Sequence, residues 1–407
     1  MRNLFLLASW LISSCAAAEQ PDQPLVRYEN LRHPVYSKSG MVAAQNRFAS
    51  EAGAKVLSMG GNAVDAAVAV GFTLAVSLPR AGNLGGGGFM LVFDAESGET
   101  VAIDYREMAP PRAHRDMFLD EEGNADPDLS RFSHKAAGVP GTVAGLYLAH
   151  QKYGRLPWRT LIQPAADLAR NGKIVSYDFA RTVAARKERL CRFEATCAYF
   201  FKPGGEPYET GDLIVQADLA DTLQLIADEG PDAFYRGEIA DKIVAEMKRG
   251  DGLIDHEALA AYTPLLREPI RGRYRGYEIE TMPPPSSGGV HILQMLNVLE
   301  NYDRAVMGAG SADATHLLAE TMRQAFADRS KHLGDPDFYS VPVEWLTSRS
   351  YAKELAAMID MQRARPSAEV AAGAPPARES EDTTHFSVID KDGNVVANTY
   401  TPVSYTH

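Results

Sequence analysis

A chemical reading of this sequence starts at Thr383, which stands between two stretches of opposite character. Upstream, residues 365–382 are rich in Pro, Ala, Gly and charge and lack apolar periodicity, which predicts an exposed, mobile segment. Downstream, residues 385–389 alternate polar and apolar side chains, Asp392-Gly393 is a turn signal, and residues 395–401 resume strand composition, which together predict a β-hairpin. If the peptide bond between Asp382 and Thr383 is cut, Thr383 carries a free α-amine beside its hydroxyl, and the amine can act as the base that activates the hydroxyl. An α-amine suits that task because its ordinary pKa lies near neutrality. The plain alternative is that Thr383-Thr384 merely opens a strand, since threonine is common in β-sheets.

Arg106 is a second candidate. It follows the strand predicted over residues 100–105 and precedes Glu107-Met108-Ala109-Pro110. A guanidinium at a strand end can hold a carboxylate through two parallel hydrogen bonds. The competing reading is an arginine paired with a nearby glutamate at the surface. Other motifs carry less. The run Ala81-Gly82-Asn83-Leu84-Gly85-Gly86-Gly87-Gly88 lies between a predicted helix and a strand, whereas phosphate and dinucleotide loops need glycines that open a helix. Glycines in this order let backbones approach closely or expose N–H groups along a site wall. Ser286 and Ser287 precede a predicted helix and are expected to cap it. Ser350-Tyr351-Ala352-Lys353 has S-x-x-K spacing without the companion motifs of penicillin-recognising enzymes, and reads as a helix start. The 10 histidines include no H-E-x-x-H and no ligand-spaced cluster, so neither a metal nor a cofactor is indicated.

The elements that must position these residues alternate between helix and strand. Residues 42–59 carry helical apolar spacing, and residues 62–76 are alanine-rich and apolar nearly all round, so a surface helix followed by a buried one is predicted. Strands are expected over 89–94 and 100–105, a strand pair over 271–282, and helices over 157–171, 218–229, 240–247, 290–300 and 316–332. The 407 residues suffice for about two domains or one large layered domain. With 41 Lys and Arg against 53 Asp and Glu, the net charge of −12 argues against nucleic acid or an anionic membrane as the main partner.

Residues 1–18 have the form of a secretory signal peptide: Arg2, an apolar stretch over 4–12 too short to span a bilayer, and Ala16-Ala17-Ala18. Ile12-Ser13-Ser14-Cys15 also fits a bacterial lipoprotein signal, in which Cys15 is lipidated, and both readings stay open. Either places the mature protein outside the cytoplasm, periplasmic or secreted, or anchored to a membrane through Cys15. In that oxidising setting Cys191 and Cys197 are predicted to form a local disulfide.

In order along the chain, Gly61-Asn62-Ala63-Val64-Asp65-Ala66-Ala67, Gly82-Asn83-Leu84-Gly85-Gly86-Gly87-Gly88-Phe89-Met90, Asp104-Tyr105-Arg106-Glu107-Met108-Ala109-Pro110, Pro283-Pro284-Pro285-Ser286-Ser287-Gly288-Gly289 and Thr383-Thr384-His385-Phe386-Ser387 closely resemble the γ-glutamyltransferases (γ-glutamyltranspeptidases, glutathione hydrolases), particularly the secreted bacterial ones. The similarity runs from residue 40 to residue 401. It implies an α/β (α+β) N-terminal nucleophile hydrolase fold, a four-layer αββα sandwich. It also implies a proenzyme that cuts itself between Asp382 and Thr383, so that residues 19–382 form the large-subunit region and residues 383–407 begin the small-subunit region, its partner after cleavage.

By the same resemblance, Thr383 is the nucleophile, Thr401 the threonine whose hydroxyl lies beside it, and Arg106 the residue that binds the α-carboxylate of the γ-glutamyl group. The implied donors are glutathione and related γ-glutamyl compounds, and the acceptors are water, amino acids or dipeptides. The match ends after Thr401, where the family continues Leu-Asn and this sequence reads Pro402-Val403-Ser404-Tyr405-Thr406-His407. Val403 replaces the substrate-holding Asn. The downstream acidic residue, the Ser-Ser pair and the Gly-Gly oxyanion turn are not in the 407 residues. One oxyanion donor alone is worth about 10²- to 10³-fold in rate. The expectation is a record truncated early in the small subunit, with residues 402–407 not authentic and a polypeptide that is inactive and unstable as written, its sheet edges left unpaired. The alternatives are a cephalosporin or glutaryl acylase of the same architecture, or a non-catalytic γ-glutamyl peptide-binding protein.

Overall fold

The computed structural model describes residues 35–370 and 383–402. Strands β1 (Gly40–Ala44), β2 (Gly87–Asp94), β3 (Glu99–Tyr105), β4 (Lys173–Ile174), β5 (Leu213–Ile214), β6 (Leu265–Arg267), β7 (Ile270–Tyr274), β8 (Tyr277–Thr281), β9 (Thr384–Asp390) and β10 (Val395–Thr401) follow in chain order. A six-stranded sheet has the order β1-β9-β10-β2-β3-β6, and β4-β5 and β7-β8 are separate two-stranded ribbons. Every pairing is antiparallel. The described residues thus supply one large sheet of the expected sandwich and its helical layer. β10 lies inside this sheet, bonded to β9 and β2, so the hairpin is not an exposed edge.

Two helices, α1 (Arg47–Ser58) and α2 (Ala63–Ser77), pack tightly together, and α2 is buried on every side. Its alanines and valines let neighbouring backbones come close. Its start is fixed by a capping box: the Asn62 side chain accepts from Asp65 N–H at 2.9 Å, and the Asp65 carboxylate accepts from Asn62 N–H at 3.0 Å. The hairpin turn clamps the same helix end, because the Asp390 carboxylate accepts from Ala63 N–H at 3.0 Å and from Asn394 Nδ2 at 2.7 Å. At the other end of the hairpin the Tyr400 hydroxyl donates to the Gly71 carbonyl at 2.8 Å. Phe386, Val388, Val396 and Tyr400 complete the core against α2. Helices Thr142–Tyr153 and Trp158–Asn171 pack on α2, and Ala217–Glu229 packs on Trp158–Asn171 as a further layer.

Three expectations need correction. Residues 42–59 are not one helix: β1 comes first, with Val42 and Ala44 half-buried and Met41 and Ala43 exposed, and α1 begins after the cap Asn46. The apolar spacing fitted a helix, but pairing with β9, more than 300 residues away, selected the strand. The stretch from 365 is not uniformly exposed and mobile. Arg365 Nε donates to buried Glu320 at 3.0 Å, and Ser367–Val370 is a short helix; residues 371–382 lie outside the described residues. Ser287 occupies the N-cap position of the helix Gly288–Leu299 but makes no side-chain capping bond, whereas Ser286 Oγ accepts from Gly288 N–H at 3.3 Å.

Candidate active site

The register of the sheet brings the sequence candidates to one end of it. Tyr400 pairs with Thr384 on one side and with Gly88 on the other, and Gly88 pairs with Tyr105. One position further out, Thr383, Thr401, Gly87 and Arg106 stand side by side at the ends of β9, β10, β2 and β3, with Thr401 and Gly87 directly paired. At about 4.8 Å per strand, Thr383 and Thr401 are neighbours, and Arg106 lies about 14 Å from Thr383. Thr383 is exposed and Thr401 buried. Gly87 is buried, and the space a side chain would take there is filled by the backbone of residues 105–107.

The glycine run is a scaffold for this row. A Cβ on Gly86 would lie 2.3 Å from the Thr401 carbonyl oxygen, and one on Gly87 2.4 Å from the Tyr105 carbonyl oxygen. The Gly86 carbonyl accepts from Gly141 N–H at 2.8 Å and Thr142 N–H at 3.0 Å, while Gly86 N–H donates to Asn83 Oδ1 at 2.8 Å. Of the two uses expected for these glycines, close backbone approach is the one seen.

Arg106 is held through its main chain. Its N–H donates to Asp104 Oδ1 at 3.1 Å, and its carbonyl accepts from the Tyr262 hydroxyl at 2.9 Å. Its guanidinium lies over the Phe89 ring, 5.9 Å from the centroid. Asp104 is buried, and Arg267 Nε donates to it at 2.8 Å; burial pushes its carboxyl pKa up although Arg267 pulls the other way.

Two residues to which the sequence gave no role belong to the same end of the sheet. Glu107 lines a cavity of about 290 Å³ together with Met117, Phe118, Lys135 and Pro402. Both its carboxylate oxygens are buried without a well-formed hydrogen bond among the described residues. Burial pushes its pKa up to about 7, despite the N–H groups of Glu107 and Gly87 and the charge of Arg106. His385, two residues past Thr383, places Nδ1 2.7 Å from Thr399 Oγ1 and Nε2 3.1 Å from Ser387 Oγ, and burial lowers its pKa. Both residues sit inside the motifs given above; buried carboxylate oxygens distinguish Glu107 from an ordinary surface Glu, and contacts to two hydroxyls distinguish His385, which is exposed.

The raised pKa of Glu107 makes a stability prediction. The folded chain binds this proton more tightly than the unfolded one, so the stabilisation is complete below the usual value of 4.5 and is lost as pH rises to about 7. Glu107→Gln is expected to remove this part of the pH dependence, up to about 3 kcal/mol. Thermal unfolding across that range checks it, and a variant curve parallel to the wild type overturns it.

Cys191 and Cys197 are joined by a disulfide with an S–S distance of 2.06 Å. Cys15 and Asp382 lie outside the described residues. Among the described residues no cluster of three or more His, Cys, Asp or Glu is arranged to hold a metal ion.

A six-stranded antiparallel sheet with helices packed behind it, and Thr383 leading into its interior strand β9, is the N-terminal nucleophile hydrolase fold. Residues 49–405 match the model of the Gamma-glutamyltranspeptidase family, and the chain belongs to that family. It is 52% identical over 400 residues to the glutathione hydrolase proenzyme of Escherichia coli K12, covering 97% of this chain and 69% of that protein. It is 43% identical over 376 residues to the acylase ACY 1 proenzyme of Pseudomonas sp. strain SE83, covering 91% of this chain and 66% of that one. The crystal structure of Helicobacter pylori γ-glutamyltranspeptidase superposes with a TM-score of 0.81 at 47% identity, covering 86% of this chain and 100% of that chain. The chain therefore spans about two-thirds of the length of these two proenzymes.

Proposed function

We propose that this protein cleaves the γ-glutamyl amide bond of glutathione and related compounds and passes the γ-glutamyl group to water or to an amino acid or dipeptide. The observation that carries this reading is the row Thr383, Thr401, Gly87 and Arg106 at one sheet end. In maturation the Thr383 hydroxyl adds to the Asp382 carbonyl carbon, the peptide C–N bond breaks to give an ester and free the Thr383 α-amine, and water hydrolyses the ester to release the Asp382 carboxyl group and restore the hydroxyl. In turnover Thr383 Oγ attacks the γ-carbonyl carbon of the donor. The α-amine takes the hydroxyl proton and delivers it to the departing amine. The resulting acyl ester is resolved by water or by an acceptor amine.

Arg106 binds the donor α-carboxylate at the far end of the row. The Thr401 hydroxyl supports the Thr383 hydroxyl across the strand pair. Export also belongs to this reading, through residues 1–18 with Cys15 as the alternative lipid anchor. Those residues lie outside the described part, and among the described residues no helix is long and apolar enough to cross a membrane.

The similarity to an acylase proenzyme supports a second reading within the same fold. A glutaryl group carries the same carboxylate as a γ-glutamyl group but lacks its amine, so Arg106 serves both and the amine separates them. The test compares γ-glutamyl p-nitroanilide with glutaryl p-nitroanilide. The γ-glutamyl compound is expected to have a kcat/KM at least about 100-fold higher, because a site built to hydrogen-bond an N–H group rejects the analogue that lacks it. Equal or reversed values favour the acylase, and glutathione binding without cleavage favours a binding protein.

A further inference from the structure

Arg106 stands at one end of a line of alternating charges drawn from three distant parts of the chain. Asp104, two residues before it, is buried; its Oδ1 accepts from Arg106 N–H at 3.1 Å and its Oδ2 from Arg267 Nε at 2.8 Å. The other edge of the Arg267 guanidinium faces Asp337, with Nη1 3.2 Å from Oδ1 and Nη2 2.9 Å from Oδ2. β6 pairs with β3 so that Arg267 lies opposite Ala102, on the same face of the sheet as Asp104. Asp337 is set by its own turn: Asp335 Oδ1 accepts from Asp337 N–H at 3.0 Å, and the Asp335 carbonyl accepts from Tyr339 N–H at 2.8 Å. One planar, largely buried cation is thus fixed in orientation by two carboxylates.

The plain use of such an arginine is to join residues 335–339 to the sheet. The charges around Asp104 give it a second use. Burial pushes the Asp104 carboxyl pKa up, and the charges of Arg267 and Arg106 both pull it down, so one buried carboxylate is shared by two guanidinium groups. With Arg267 in place, the attraction of Asp104 is divided between them. Without Arg267 the same buried charge turns to Arg106, the other cation whose field it feels, and draws that guanidinium back onto the strand.

We propose that Arg267 is a positioning residue for donor binding: by satisfying Asp104 it keeps that carboxylate from competing with the α-carboxylate of the γ-glutamyl group for the Arg106 guanidinium. The assignment rests on the reading of Arg106 as the carboxylate-binding residue. Arg267 itself touches no substrate. Asp337 contributes by holding the outer edge of the Arg267 guanidinium, which leaves Nε aimed at Asp104.

Binding of L-glutamate and of 4-aminobutyrate, which lacks the α-carboxylate, tests this, because neither ligand has an amide bond to be cleaved. By isothermal titration at about pH 8, where Asp104 is ionised, the wild type is expected to bind glutamate at least about tenfold more tightly. In Arg267→Gln that preference is expected to fall to within about twofold, and Arg267→Lys, which keeps the charge without the fork, is expected to keep part of it. The double variant Asp104→Asn, Arg267→Gln removes the competing charge as well, and is expected to return to within about threefold of the wild-type preference. A merely structural Arg267 predicts the opposite, since the double variant has lost both partners of the tether. Should Arg267→Gln fail to fold, Asp337→Asn, at a half-exposed position, is expected to lower the preference about threefold. A preference that persists in Arg267→Gln, or that is lost there and stays lost in the double variant, overturns the proposal and leaves the reading of Arg106 intact; so does an unchanged preference in Asp337→Asn where that variant stands in. No preference in the wild type overturns the reading of Arg106 and the proposal with it. Absence of γ-glutamyl p-nitroanilide turnover instead counts against the transfer reading, which the binding measurement does not use.

Discussion

Replacing Thr383 with alanine is expected to leave the protein as one uncut polypeptide and to lower γ-glutamyl p-nitroanilide turnover by about 10⁴- to 10⁶-fold, the usual cost of removing a nucleophile. The same oxygen is needed twice, first to open the bond after Asp382 and then to carry the acyl group, so both losses must appear together. Thr383→Ser keeps the oxygen and is expected to keep both reactions at a reduced rate. Thr401→Ala removes a hydroxyl from the neighbouring strand without touching the nucleophile, and a partial slowing is expected. Gel electrophoresis with N-terminal sequencing reads the first reaction, and p-nitroaniline release the second. Two chains with Thr383→Ala, or turnover near that of the wild type, reject the assignment. Because Thr383 is exposed, its truncation opens no core cavity, and a lost activity is not explained by lost folding.

The second large effect is expected at Arg106. Arg106→Ala should lower kcat/KM for γ-glutamyl donors by about 100-fold, mostly through KM, because a charge-assisted bidentate contact is lost from the ground state and transition state alike. Arg106→Lys keeps the charge but not the planar fork and should recover only part. Self-cleavage engages no substrate carboxylate, so it is expected to continue in both variants. The backbone supports this separation: Asp104 and Tyr262 hold residue 106 by its N–H and carbonyl, and neither contact depends on the side chain. Loss of self-cleavage along with turnover would assign Arg106 to folding. An unchanged KM would remove it from the donor site.

How far the site was legible depended on whether a residue's role is set locally or by its neighbours. The hairpin after Thr383 was readable because alternation and an Asp-Gly turn act over a few residues, and it appears as β9 and β10. The buried helix was readable because residues 63–77 are apolar on all sides, which suits only an interior position. β1 was misread because its strand character comes from pairing with β9, a contact no short window contains. Glu107 was quoted in a motif without a role, since a glutamate in sequence carries no sign of the burial that raises its pKa to about 7.

The sequence by itself determined the residue types and the family: a threonine at a junction between a loop and a hairpin, an arginine at a strand end, a glycine run and two cysteines six residues apart. It did not determine that these meet. Arg106 and Thr383 reach the same sheet end only because β2 and β10 lie between β3 and β9 in a fixed register, which the close approach at Gly86 and Gly87 permits. The tertiary structure also decided that Thr383, Thr401, Gly87 and Arg106 form one row across four strands at the same end of the sheet. Strand order is chosen by long-range pairing and by burial of one sheet face against α2, and those free energies belong to the assembled fold rather than to any segment of the chain.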